Sequence, residues 1–166
     1  MEEEIHAGVL TISTMGSQGK RIDESGDIAT HILEGEGFSV IKRDVIPDDR
    51  ERIAGTLMEW VDRSGLALIL TSGGTGLSPN DLTPQAMEQV IDYQVPGMAE
   101  AMRAESLKIT PHGMISRAMV GVRGSCLIIN LPGSPAGVKE NLSVVLPALK
   151  HALSKLGGDP TDCGRH

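Results

Sequence analysis

Ala67-Leu68-Ile69-Leu70-Thr71-Ser72-Gly73-Gly74-Thr75-Gly76-Leu77-Ser78-Pro79-Asn80-Asp81-Leu82-Thr83-Pro84 is the stretch that decides the fold. The apolar run from Leu66 to Thr71 reads as a buried parallel strand. It ends in a glycine-rich turn, and Thr83-Pro84 reads as an N-cap with proline at the first helical position. In this arrangement backbone N–H groups can point at a phosphate. Glycines alone fit a plain strand-to-helix turn equally well, because they allow positive φ and close backbone approach. Asp81 adds weight to the phosphate reading. With Thr83 as the cap it has no evident structural task, and a carboxylate beside a phosphate is unfavourable unless a cation such as Mg²⁺ lies between them. No lysine follows the glycines, so the spacing matches neither the Walker loop nor the dinucleotide fingerprint.

The same alternation extends to both sides. Upstream, Ala7 to Thr14 reads as a first strand. Ser25 to Glu36 reads as a helix with Ile28, Ala29, Ile32 and Leu33 on one face and Gly37 as its stop. Phe38 to Ile46 follows as a strand ending at Pro47. Asp48 to Arg63 is then a helix with Ile53, Leu57, Met58 and Val61 as its apolar stripe. Downstream, Thr83 to Ile91 and Met98 to Leu107 read as helices. Met114 to Val120 reads as a strand, with a hairpin turn near Arg123-Gly124 leading into the apolar strand Ser125 to Leu131. The last helix carries Val138, Leu142 and Val145, and Pro147 is expected to break or kink it before Leu149 to Leu156. This order predicts an α/β fold: a mainly parallel mixed sheet, helices on both faces and a small hairpin excursion. Residues 1–156 form one expected domain and 157–166 a loose tail.

Composition narrows the function. The 166 residues suit one domain with a sizeable core, and 40% hydrophobic with 22% charged residues is ordinary globular usage. A formal net charge of −7 and single Trp, Tyr and Phe residues argue against nucleic-acid binding. No apolar run is long enough to cross a bilayer. The acidic start Met1-Glu2-Glu3-Glu4 is not a secretory signal, and Cys126 and Cys163 have no metal-ligand spacing. The expectation is a cytoplasmic protein with reduced thiols and no nucleic-acid or membrane partner. An anionic substrate must then be held by local donors rather than by the overall field.

Asp48 has two readings. Asp48-Asp49-Arg50-Glu51 makes a good capping box with Asp48 as N-cap, and caps are common. Yet Asp48 follows the second strand as Asp81 follows the third, and ligands in open α/β sheets bind outside the carboxyl ends of strands. Asn130-Leu131-Pro132-Gly133-Ser134-Pro135 repeats the scheme of strand, glycine turn and Ser-Pro helix start. Two such loops on one sheet edge favour a long anionic ligand. Ser13 to Arg21 reads as a small-residue loop with two cations, and Ser116-Arg117 offers a hydroxyl and a cation. The five histidines are scattered, and no Ser/His/Asp triad or Gly-x-Ser-x-Gly elbow is present.

Ser72-Gly73-Gly74-Thr75-Gly76 with Asp81-Leu82-Thr83-Pro84 resembles the signature of the MogA/MoaB molybdenum-cofactor biosynthesis family, which includes the gephyrin G domain. Val45-Ile46-Pro47-Asp48-Asp49, Pro96-Gly97-Met98, Leu107 to Pro111, Ile115-Ser116-Arg117, Val122-Arg123-Gly124 and Leu127 to Ser134 look like further family blocks. The resemblance implies a three-layer α/β/α fold and a homotrimer. It implies adenylylation of molybdopterin, in which ATP and Mg²⁺ give molybdopterin-AMP and pyrophosphate before molybdate insertion. A transient contact with the molybdate-insertion enzyme follows from that. The family's catalytic aspartates, also the implied Mg²⁺ ligands, fall on Asp48 and Asp81. Its nucleotide and phosphate loops fall on Ser72, Gly73, Gly74, Thr75 and Gly76 and on Pro132, Gly133 and Ser134. Its pterin site falls on Ser13, Ser116 and Arg117. Two positions depart from the pattern: Ser13-Thr14 stands where the family often has Ser-Asp, and Asn80 where Arg often precedes the signature aspartate. These departures motivate the alternative, a pterin-binding or scaffold protein of the same fold without adenylylation activity.

Overall fold

The computed structural model describes residues 3–164. Six strands form one sheet: β1 (Ile5–Ile12), β2 (Phe38–Ile46), β3 (Leu68–Ser72), β4 (Tyr93–Gln94), β5 (Val120–Arg123) and β6 (Cys126–Leu131). Their order across the sheet is β2-β1-β3-β6-β5-β4. The first four in that order are parallel, and β5 and β4 add an antiparallel edge. Among the described residues six α-helices accompany them: α1 (Thr14–Ser17), α2 (Glu24–Gly35), α3 (Arg50–Ser64), α4 (Thr83–Val90), α5 (Pro96–Leu107) and α6 (Pro135–Leu156).

Strand alternation sorts the core into two layers. Ala7, Val9, Leu68, Leu70, Leu127 and Ile129 pack under α2, α5 and α6 through Ala29, Leu33, Met102, Leu142 and Leu149. Leu10, Ile12, Ile69, Cys126 and Ile128 pack under α3 and α4 through Ile53, Leu57, Trp60 and Met87. The expected three-layer α/β/α architecture with its mainly parallel mixed sheet is the one observed. Burial pushes the Cys126 thiol up to about 12, so it remains protonated at neutral pH.

Several local expectations need correction. Ser116 to Met119 is not strand. A 3₁₀ turn spans Pro111–Ile115, and regular pairing begins at Val120. The two-residue β4 has no counterpart in the sequence pattern; it pairs with β5 through Tyr93 and Gln94. The hairpin turn at Arg123-Gly124 is as expected, with β5 and β6 paired antiparallel. Pro147 does not end the last helix, which runs unbroken as α6. Pro147 and Ser143 are both exposed, so the carbonyl that Pro147 leaves without its i→i−4 partner faces water. Leu142, Val145, Leu149 and Leu153 hold both halves of α6 against the sheet.

Residues 157–161, the first half of the expected loose tail, fold back on α6. The Ser154 hydroxyl donates to Asp159 Oδ2 at 2.8 Å, and the Thr161 N–H donates to Oδ1 at 2.9 Å. The Thr161 backbone, and after it the Ser154 hydroxyl, hold the Asp159 carboxyl down at about 2. The contact is therefore present from neutral pH down through the ordinary carboxylate range, and it is lost only as pH falls through about 2.

Candidate active site

The loops that follow β1, β2, β3 and β6 meet at the carboxyl end of the parallel strands. β1 continues to β2 on one side, while β3 lies on the other, so the chain reverses its strand order there. Open α/β sheets bind ligands at such a switch point. The glycine loop is locked to its neighbours from both sides. The Gly73 N–H donates to the Leu131 carbonyl at 3.1 Å, and the Ser72 hydroxyl donates to the Pro132 carbonyl at 2.9 Å. Gly73 has φ +103°, and a Cβ there would run into the Ile12 carbonyl oxygen, so only glycine fits. On the far loop, the Ser25 hydroxyl donates to the Gly133 carbonyl at 2.7 Å.

Two expectations about helix caps change. Thr83 does not cap α4; its buried hydroxyl donates to the Gly73 carbonyl at 2.9 Å, fastening the loop to the helix start. Asp48 does not cap α3 either. Asp49 does, accepting from the Arg52 N–H at 2.7 Å. Two adjacent aspartates precede α3, and the backbone turns one residue later than the capping-box pattern suggests. Asp48 is thereby released for another use.

Its Oδ2 accepts from the Thr14 N–H at 3.2 Å and the Thr14 hydroxyl at 3.0 Å. Its Oδ1 makes no hydrogen bond among the described residues and faces the glycine loop, 3.5 Å from where a Gly74 Cβ would stand. Asp81 is arranged in a similar way. Its Oδ2 accepts from the Ser78 N–H at 2.9 Å, so it does hold a turn, contrary to the expectation of no structural task. That same oxygen would lie 2.8 Å from a Cβ on Gly76, so a side chain there would displace the Asp81 carboxylate. Oδ1 of Asp81 is free of hydrogen bonds among the described residues.

Both aspartates line one cavity of about 720 Å³ with Ser72, Gly73, Gly74, Gly133 and Ser134. Its charged lining is Asp23, Glu24, Asp48, Asp81 and one cation, Arg21. Bare phosphates would be repelled by such a wall. No group of three or more His, Cys, Asp or Glu side chains among the described residues can hold a metal alone. Two free carboxylate oxygens instead suit Mg²⁺, which commonly takes one or two carboxylates and completes its shell with substrate phosphates and water. The residues present fit that ion arriving with a nucleotide. Among the described residues, the N–H groups of Gly74, Thr75, Gly76, Gly133 and Ser134 have no hydrogen-bond partner, which leaves them available as phosphate donors.

A second cavity of about 410 Å³ opens beside the first, lined by Thr75, Gly76, Ile109, Ile115, Ser116 and Pro132 among others. Ser134 lines both. The three residues expected at a pterin site are thus separated. Ser116 lies in this smaller cavity. Ser13 lines the larger one and caps α1, accepting from the Gly16 N–H at 3.0 Å. Arg117 is fully engaged in holding the loop. Its Nε donates to the Gly76 carbonyl and Nη2 to the Asp81 carbonyl, both at 2.8 Å, and its own N–H donates to the Thr75 carbonyl at 2.7 Å. Ser25 is a site residue that sequence reasoning misses, and Thr14 and Arg21, which stand out there only as a departure from the family pattern and as a loop cation, also belong to the site. Thr14 acts on a partner 34 residues away, and no local pattern signals that.

Residues 8–151 match the family model described as "Probable molybdopterin binding domain". Gephyrin from Dictyostelium discoideum is 41% identical over 96% of this chain, and molybdopterin adenylyltransferase from Helicobacter pylori strain 26695 is 36% identical over 93% of it. The chain spans 89% of the Helicobacter protein, but only about a quarter of gephyrin and of the Drosophila melanogaster cofactor-synthesis protein cinnamon, at 23% and 26%. The crystal structure of the molybdopterin biosynthesis enzyme MoaB from Thermus thermophilus superposes with a TM-score of 0.88 at 46% identity, covering 95% of this chain and 99% of that one. With the sheet order, the paired glycine loops and these likenesses in agreement, the chain belongs to the MogA/MoaB family of molybdenum-cofactor biosynthesis.

Proposed function

We propose that this protein is a molybdopterin adenylyltransferase. It joins the terminal phosphate of molybdopterin to the α-phosphorus of ATP and releases pyrophosphate. The observation that carries this reading is the pair Asp48 and Asp81. Each has one oxygen tied to the protein and one free, and both line a cavity walled by the two glycine loops. The adenylyltransferase relatives support it.

The chemistry needs little from the protein in the way of proton transfer. A phosphate monoester has a second pKa of about 6, so the attacking oxygen is largely ionised at neutral pH. In-line placement and neutralisation of charge remain. The larger cavity takes the nucleotide, and the free N–H groups of Gly74 to Gly76 and Gly133-Ser134 hold its phosphates. The smaller cavity, with Ser116, takes the pterin, and the two substrates meet at Ser134. Asp48 and Asp81 would hold Mg²⁺, which when bound lowers the charge on the α-phosphate and the departing pyrophosphate. The reading carries with it a cytoplasmic homotrimer that hands its product to a molybdate-insertion enzyme.

Incubation with molybdopterin, ATP and Mg²⁺, followed by mass spectrometry, should reveal the adenylylated pterin. Asp81→Asn should lower turnover by at least on the order of 100-fold while pterin affinity and fold persist. Unchanged turnover in that variant defeats the assignment of Asp81. Pterin binding without pyrophosphate release in the wild type would instead favour a scaffold role, for which Thr14 and Asn80 are the motive.

A further inference from the structure

We infer that Thr14 is a positioning residue that sets which oxygen of Asp48 faces the nucleotide; the inference rests on the adenylyltransferase reading of this site. Three hydrogen bonds join the two residues. The Thr14 N–H and hydroxyl both donate to Asp48 Oδ2, at 3.2 and 3.0 Å, and the Asp48 N–H donates back to the Thr14 hydroxyl oxygen at 3.1 Å. The hydroxyl uses its one proton and one lone pair in this exchange, so its orientation is fixed. Thr14 starts α1, where its N–H would otherwise lack an acceptor, and Asp48 stands just before the cap of α3. The pair therefore ties the loop after β1 to the loop after β2, across 34 residues of sequence.

The consequence for the site is directional. With Oδ2 held on Thr14, Asp48 presents Oδ1 alone towards Gly74. It acts as a ligand through one oxygen in one rotamer. Asp48 also needs this support, because Asp49 has taken the capping contact that would otherwise hold an aspartate in place. Thr14 supplies the two donors without adding charge to a cavity whose lining already holds four carboxylates and one arginine. An acid at position 14 would set a second carboxylate against Asp48 and would need a proton or a cation between the two.

Valine at position 14 keeps the shape and the backbone bond but loses the hydroxyl; serine keeps both bonds. Calorimetric titration with Mg²⁺ and ATP, without pterin, tests the inference on wild type, Thr14→Val, Thr14→Ser, Asp48→Asn and the Thr14→Val/Asp48→Asn double variant. Thr14→Val should bind Mg²⁺·ATP about tenfold more weakly, the scale expected when a group that orients a metal ligand is removed. Thr14→Ser should stay within about twofold of wild type, and the double variant should match Asp48→Asn, because the hydroxyl acts only through that carboxylate. Wild-type affinity in Thr14→Val overturns the inference. So does a further loss when Thr14→Val is added to Asp48→Asn, or an inability of wild type to bind Mg²⁺·ATP. The adenylylation assay run alongside keeps the two readings apart. A wild type that binds Mg²⁺·ATP with the expected variant pattern, yet forms no adenylylated pterin, sinks the catalytic reading and upholds the role of Thr14.

Discussion

Arg117 shows how a charged residue in a substrate-binding region can serve the scaffold. In sequence it offers a cation beside Ser116, suited to an anion. In the structure its guanidinium spans the Gly76 and Asp81 carbonyls and reaches Gln85 Oε1 at 3.3 Å, so the planar fork braces the far side of the glycine loop. Lysine carries the same charge but cannot reproduce that fork. Arg117→Lys should therefore behave like Arg117→Ala. Both should lose about 2–3 kcal/mol of stability in urea unfolding, the scale of one or two charge-assisted hydrogen bonds in a half-buried site. Both should also weaken nucleotide binding through a slack loop. A lysine variant with wild-type stability and affinity would mean that Arg117 acts by charge, as an anion clamp. The Asp48–Asp49 pair makes the same point about information. Asp48 fits the capping box with Glu51 and Asp49 does not, having Arg52 three residues on, yet Asp49 is the cap while Asp48 is held by Thr14, a contact that local spacing does not reveal.

At the scale of elements, what could be read from the chain was whatever is buried on a regular period. β1, β3 and β6 are apolar runs enclosed between two helix layers, and the bounds of each lie within two residues of those expected. The two glycine loops were legible because proline, glycine and a hydroxyl residue punctuate the strand ends. The misread parts are those whose conformation is set from outside. The segment 116–119 looks like strand, yet its backbone bonds go to Thr75 and Asn130 rather than to a ladder. β4 has only two residues and exists because β5 offers an edge. Pro147 is the clearest case of tertiary override, since packing on both sides carries α6 through it. An interior proline costs a helix about 3 kcal/mol, part of which is offset by the stiffer unfolded chain, worth up to about 1 kcal/mol. Pro147→Ala should thus raise stability by about 1–2 kcal/mol in chemical denaturation, as the Ser143 carbonyl regains its helical partner. A loss instead would show that a bend at Pro147 is what seats Leu149 and Leu153 in the core.

For the whole molecule, the balance between net charge and local donors governs how an anionic substrate approaches. The chain carries a formal charge of −7, and carboxylates outnumber cations in the cavity that would receive ATP. Long-range attraction is absent, so binding must come from contacts made on arrival: backbone N–H groups in two loops, helix starts, and a divalent ion held by two aspartates. These two kinds of force respond oppositely to salt. A site built on several lysines and arginines loses affinity for polyphosphates as salt screens them. A negatively charged protein that binds through neutral donors is relieved of repulsion when the screening length falls to about 8 Å at physiological ionic strength. Titration of Mg²⁺·ATP at about 20 mM and about 150 mM sodium chloride, with free Mg²⁺ held constant, should therefore give equal or tighter binding at the higher salt, by up to about threefold. A marked loss of affinity would place the phosphates on Arg21 and Lys20 rather than on the glycine loops. It would move the nucleotide towards the mouth of the cavity, away from Asp81.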